Sequence, residues 1–214
     1  MAALSSDGAA APSAGSGGPV LALTFDDGPE PGRDDEILRL LARHGAVATF
    51  FVIGATAAAH LELVGRMVAA GCEIGNHSWT HVSLLGLGAE LQREEVRRTN
   101  ELLAGVGIRP RWFRPPFGHT DARIEAIARE EGLETVLWSL DSRDWARQSP
   151  EEIARRVIAG LAPGAVILLH SFAASSLAAL PRILDHATSL GYRCVTLSES
   201  RRLEASPAAL RPPS

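Results

Sequence analysis

At 214 residues, with 46% apolar and 21% charged residues, the chain has the size and composition of one globular domain, which excludes a mostly disordered protein. A net charge of −4 offers no basic field for a polyanion, and no apolar run approaches the ~20 residues needed to span a bilayer, so neither a nucleic acid nor a membrane is an expected partner. All 21 basic residues are arginine, which excludes chemistry built on a lysine, and Cys72 and Cys194 are too few and too far apart for a disulfide framework or a CxxC knuckle.

Residues 1–18 are mostly small, with neither a basic n-region nor an apolar h-region. They predict a disordered tail rather than a secretory leader, and with it a cytoplasmic location. A folded domain is expected over 19–199. Residues 200–214 carry three prolines and little apolar periodicity, and predict a surface tail.

Between the tails, apolar runs alternate with amphipathic ones. Val20–Asp26 reads as a buried strand, and Ile37, Leu40 and Leu41 mark a helix face with Asp34 or Asp35 near its start. Ala48–Ile53 is the second strand. Leu63, Val64, Met67 and Val68 form the next helical stripe, which Gly71 stops. Cys72–His77 is a third strand, followed by a long charged helix over about 88–104. Arg111–Arg114 is the fourth strand, and Thr120 is the expected cap of a helix through Ile124 and Ile127.

Thr135–Leu140 is the fifth strand. Ser149-Pro150-Glu151-Glu152 is a capping box with proline at the first helical position. Ala165–Leu169 is the sixth strand, Leu177, Leu180, Leu184 and Ala187 another helical stripe, and Arg193–Leu197 the seventh strand. Such alternation predicts a mainly parallel sheet with helices outside, either a barrel or an open doubly wound sheet.

Polar residues cluster where the strands end. Asp26 and Asp27 close the first, His77 and His81 follow the third, Arg114 ends the fourth, Asp141 and Asp144 follow the fifth, and His170 ends the sixth. In a parallel sheet the carboxyl ends share one face, so groups remote in sequence converge there. His77-Ser-Trp-Thr-His81 has ligand-like spacing, and with Asp27 it makes a His, His, Asp set that leaves positions open on a divalent metal. Adjacent carboxylates at Asp26 and Asp27 repel unless a cation is near, and a metal on one with Arg114 beside the other would supply it. His170 paired with Asp144 has the makings of a proton donor. Trp145 is a candidate pocket wall and His119 a weaker candidate for substrate contact. His44, His60 and His186 read as solvated helix residues, and the cysteines as small buried hydrophobes.

Thr24-Phe25-Asp26-Asp27-Gly28-Pro29, His77-Ser-Trp-Thr-His81, Arg114-Pro-Pro-Phe-Gly118, Asp141-Ser-Arg-Asp144-Trp145 and Leu168-Leu169-His170 together resemble the five ordered motifs of the polysaccharide deacetylases, the NodB-homology group or carbohydrate esterase family 4. The resemblance spans about residues 19–199. It implies an α/β fold, a distorted (β/α) barrel of about seven parallel strands. It implies Asp26 as catalytic base, Asp27, His77 and His81 as ligands of a divalent metal (zinc first, then cobalt, nickel or manganese), and Arg114 as the residue orienting the base. Asp144 and His170 are similar to the family's tuned acid pair. Leu168 and Trp145 resemble the apolar pocket around an acetyl methyl. Phe117 stands where the family often has tyrosine, whose backbone N–H helps bind the oxyanion.

The expected reaction is metal-dependent hydrolysis of an N-acetyl amide on a chitooligosaccharide or peptidoglycan-like sugar. Two alternatives stand beside it: the same hydrolysis on a small non-sugar amide or cyclic imide, and a non-catalytic sugar- or metal-binding role.

Overall fold

The computed structural model describes residues 18–205. Its elements run β1 (Val20–Gly28), α1 (Arg33–Arg43), β2 (Thr49–Val52), α2 (Gly54–Ala59), α3 (Leu61–Ala69), β3 (Glu73–Asn76), α4 (Ala89–Gly105), β4 (Trp112–Phe113), α5 (Ala122–Glu130), β5 (Glu134–Thr135), β6 (Leu140–Asp141), α6 (Pro150–Ala159), β7 (Val166–His170), α7 (Ala174–Ser189), β8 (Arg193–Cys194) and α8 (Leu197–Glu204). The strands form one sheet in the order β5-β4-β3-β2-β1-β7-β6, with β8 paired to the start of β1. Every pairing is parallel.

β1 shows how the sheet divides its two faces. Leu21, Leu23 and Phe25 point outward into a core shared with Ile37 and Leu41 of α1, Val64 and Met67 of α3, Ile153 of α6 and Leu180 of α7. Ala22 points the other way, into a second cluster with Phe51, Trp112, Val136, Val166 and Leu197. By the two-residue period of a strand, Thr24 and Asp26 lie on that inner side with Ala22. Burying each large side chain of the outer core contributes roughly 1.5–3 kcal/mol, which is what holds the helices on the sheet.

The expected fifth strand is split. Val136 N donates to Phe113 O and Ser139 N to Val166 O, both at 2.9 Å, so the chain leaves β4 and reaches β7 within four residues. Its two halves, β5 and β6, become the two ends of the strand order, and the barrel is distorted there. Thr135–Leu140 is therefore one apolar run serving two neighbours, and the seven expected strands become eight.

Other expectations shift locally. Val68 is 43% exposed, off the buried face of α3. Asp121, not Thr120, caps α5, its carboxylate accepting from Ile124 N at 2.8 Å. The seventh strand stops at Cys194, because Thr196 accepts from Glu199 N and opens α8. That helix carries Leu197 into the inner cluster and runs to Glu204, so residues 200–204 of the expected tail are helical, and residues 206–214 lie outside the described residues. The tail expected over 1–18 lies outside the described residues, apart from exposed Gly18. His44 is not free in solvent: its Nδ1 meets Leu40 O and its Nε2 meets Asp185 Oδ1 at 3.0 Å, tying α1 to α7. Burial pushes the Cys194 thiol up to about 12 and raises that of Cys72, so both are unreactive fillers. No helix among the described residues is long and apolar enough to cross a membrane.

Candidate active site

The carboxyl ends of β1, β3, β4, β6 and β7 bring the polar residues to one pocket of about 460 Å³. Asp26, Asp27, His77, His81, Phe117, Trp145, Leu168 and His170 line it, joined by Trp138, Asp141 and Phe172. Arg114 and Asp144 lie just behind, each bonded to a lining residue. His119 is exposed and not part of the lining; its ring sits 5.8 Å from that of Phe117.

Asp27, His77 and His81 offer three ligand atoms within 4.8 Å of one another. His77 Nε2 lies 3.3 Å and His81 Nε2 3.0 Å from Asp27 Oδ1. That oxygen is buried and has no hydrogen-bond partner, an orphan whose natural complement is a cation. His77 Nδ1 lies 2.6 Å from Arg114 O, so Nδ1 carries the proton and donates it to the carbonyl. The lone pair is thereby left on Nε2, facing Asp27, as a metal-ligating histidine requires. Burial favours the neutral form of His81 and lowers its pKa; burial would raise that of Asp27, but the surrounding imidazoles of His77, His81 and His170 hold it low. A neutral histidine and an ionised carboxylate are the forms that bind a divalent metal, so the donor set fits the group.

Asp26 and Arg114 form the second unit. Both side chains are out of water, with Arg114 Nη1 2.8 Å from Asp26 Oδ1 and 2.7 Å from Thr24 Oγ1. Arg114 also donates to Leu137 O at 3.0 Å and Val136 O at 3.4 Å, filling carbonyls that the split strand leaves without ladder partners. Its guanidinium stacks 4.1 Å over the Phe51 ring. Burial pulls its pKa down, while Asp26 holds it up. Asp26 Oδ2 is left on the metal side, 3.8 Å from His77 Nε2.

His170 and Asp144 form the third. His170 Nδ1 meets Asp144 Oδ1 at 2.7 Å, and Asp144 Oδ2 accepts from His170 N at 2.8 Å and from the Ser176 hydroxyl. Burial works against charge on both, yet the pair overrides it: His170 is held above its ordinary value and Asp144 below.

Asp27, His81 and Phe117 adopt φ of 68°, 60° and 61°, a region bulky residues avoid. Strain of this kind concentrates at functional sites, and here it falls on three candidate residues. The Phe117 turn is packed tightly; a Cβ on Gly118 would come 2.7 Å from Trp138.

The sequence places the Phe172–Ser176 loop beside the site, but it assigns no individual site role to Thr24, Ser176, Trp138 or Phe172. Thr24 was readable, because two residues before Asp26 on a strand means the same face. Ser176 had no such signal, since it reaches Asp144 from 32 residues away, on α7.

The polysaccharide deacetylase family matches residues 14–136. The chitooligosaccharide deacetylase of Sinorhizobium fredii is 37% identical over 196 residues, spanning 85% of this chain and 91% of that one. A peptidoglycan-N-acetylglucosamine deacetylase of Bacillus cereus is also 37% identical, over 86% of this chain and 88% of its own. Among solved structures, the family 4 carbohydrate esterase from Streptomyces lividans in complex with acetate superposes with a TM-score of 0.79 at 38% identity, covering 82% of this chain and 91% of that one. Sequence and fold thus agree, and the chain belongs to the polysaccharide deacetylase family, carbohydrate esterase family 4.

Proposed function

We propose that the protein removes the acetyl group from an N-acetylated sugar of the chitooligosaccharide or peptidoglycan kind, using a divalent metal, zinc by preference, on Asp27, His77 and His81. The observation that carries this reading is the flanking of one Asp, His, His cluster by two opposed pairs, Asp26–Arg114 and His170–Asp144. Relatives named for sugar deacetylation, matched over most of their length, favour the sugar over a small amide or imide.

Held there, the metal would supply Lewis-acid polarisation of the acetyl carbonyl and a lowered pKa for water. The remaining work falls to the chain. Asp26 takes the proton of the attacking water, with Arg114 holding its carboxylate in one orientation. Leu168 and Trp145 wall an apolar space for the acetyl methyl. The Phe117 N–H donates to the oxygen that gains charge, a donor that survives the family's change from tyrosine because it belongs to the backbone. His170, protonated and steered by Asp144 through Nδ1, delivers its proton to the amine nitrogen. Without that step the tetrahedral adduct expels water again, because an amide anion is the poorer leaving group. Acetate and a free amine leave.

The test is acetate release from chitooligosaccharides and peptidoglycan fragments with added zinc or cobalt and an EDTA control. EDTA-sensitive acetate is the expected result. No acetate from protein carrying about one metal per chain would overturn the sugar reading.

A further inference from the structure

His77 and His81 are four residues apart, yet no helix sets their spacing. Both sit on an irregular loop in which Ser78 and His81 hold φ of 64° and 60°. Something outside the loop must fix it. Its carbonyls are held by the first turn of α2: Gly54 N donates to Ser78 O and Ala55 N to Trp79 O, both at 2.9 Å. Its amides are held elsewhere. Ser78 N donates to Asn76 Oδ1 at 2.8 Å and His81 N to Ser78 Oγ at 3.1 Å, both within the segment itself. The two between them, Trp79 N and Thr80 N, converge on one oxygen, Glu95 Oε2 of α4, at 3.0 and 2.8 Å. Glu95 Oε1 accepts the Thr80 hydroxyl at 2.7 Å.

The anchor is itself anchored. Asn76, the last residue of β3, donates to Val96 O and Asn100 Oδ1, each at 2.9 Å, pinning α4 beside the loop. The Arg98 guanidinium lies 4.1 Å over the Trp79 ring. On the opposite side a Cβ at Gly54 would collide with Trp79 and with Thr99 of α4, so the loop is clasped closely between α2 and α4.

We propose that Glu95 is a positioning residue for the metal site: its carboxylate clamps the Trp79–Thr80 amides and thereby sets the angle and separation of the His77 and His81 imidazoles. The proposal rests on the assignment of those histidines as ligands. Glu95 bonds to Trp79 and Thr80, not to the ligand atoms, and acts only through the loop. Outer partners of this kind typically change metal affinity by about 10–100-fold when removed.

The experiment measures Co(II) affinity and the Co(II) d–d absorption of the full chain, stripped with EDTA and titrated with the metal alone. Glu95→Ala is expected to bind about 10–100-fold more weakly with an altered spectrum. Glu95→Gln is expected to keep most of the affinity and the wild-type spectrum, because its carboxamide oxygen still accepts both amides. Thr80→Val, which removes one bond on an exposed residue, is expected to fall between them and carries the test if Glu95→Ala does not fold. Wild-type affinity and spectrum in Glu95→Ala, or in Thr80→Val where that variant stands in for it, would overturn the proposal. So would a Gln variant as weak as the Ala variant, since charge rather than position would then be at work. His77→Ala distinguishes a failed clamp from a failed ligand set: if it binds Co(II) as the wild type does, the ligand assignment itself falls, and the clamp with it.

Discussion

The buried Arg114 guanidinium donates to Asp26 Oδ1 at 2.8 Å while its own backbone carbonyl takes the Nδ1 of His77 at 2.6 Å. One residue thus orients the proposed base with its side chain and a proposed metal ligand with its main chain. It also fills the carbonyls of Val136 and Leu137, where the fifth apolar run breaks between two neighbours. The distortion of the barrel and the assembly of the site share this one arginine.

Removing that side chain leaves the buried Asp26 carboxylate and two backbone carbonyls without their partner. Arg114→Met is expected to lower the free energy of unfolding by about 3–5 kcal/mol. Asp26→Asn in the same chain removes the stranded charge, so the double variant is expected to be more stable than Arg114→Met alone. Urea unfolding of the wild type, both single variants and the double variant closes the cycle. Strict additivity would mean the pair is not coupled.

Asp26 and His77 separate proton transfer from metal retention. Asp26→Asn preserves shape and leaves the Asp27, His77 and His81 set intact. It is expected to hold about one equivalent of metal while losing turnover by the ~10²–10⁴ typical of a general base. His77→Ala is expected to lose the metal itself. Elemental analysis beside an acetate assay reads both, and wild-type turnover in Asp26→Asn would remove it from the role of base.

Much of this geometry was legible from where polar residues interrupt apolar runs. Asp26, His77, Arg114 and His170 each close or follow a run, and parallel strands deliver such positions to one face. What escaped depends on partners far along the chain. Nothing local in Thr135–Leu140 says that its first half pairs with β4 and its second with β7, because strand pairing is set by tertiary contact. Glu95 reads as one more charge on an amphipathic helix until the loop it holds is folded beside it. The last helix was a different kind of omission: Thr196-Leu-Ser-Glu199 is a helix-start pattern, and the apolar run before it masked the signal.

His170 and Asp144 predict a pH dependence with a definite sign. The pair raises the pKa of His170 and lowers that of Asp144. His170 therefore stabilises the fold below the ordinary histidine value, and that contribution is lost as pH rises through its raised value. Asp144 contributes above the ordinary aspartate value and loses its contribution as pH falls through the lowered one. Between those limits the acid is charged and its partner ionised. Turnover is expected to fall on the alkaline side as His170 deprotonates. Asp144→Asn should move that limb to lower pH, because the carboxylate no longer supports the imidazolium. An unmoved limb would assign it to another group. His170→Ala should retain metal and lose about 10²–10⁴ in kcat.

Asp34 supplies the opposite sign. It is fully buried behind the β1 turn, with Oδ2 accepting from Glu30 N at 2.7 Å, Oδ1 without a partner and the Ser171 hydroxyl beside it. Burial pushes its carboxyl up to about 6. An acid with a raised pKa binds its proton more tightly folded than unfolded, so its contribution to stability declines as pH rises from the ordinary aspartate value through the raised one. Asp34→Asn keeps an oxygen for Glu30 N and removes the charge. It is expected to match the wild type near pH 4 and to exceed it at pH 8 by about 3 kcal/mol at most. Urea unfolding of both proteins at the two pH values reads the difference directly. A variant less stable than the wild type at pH 8 would mean that the ionised carboxylate has a partner worth more than its burial costs.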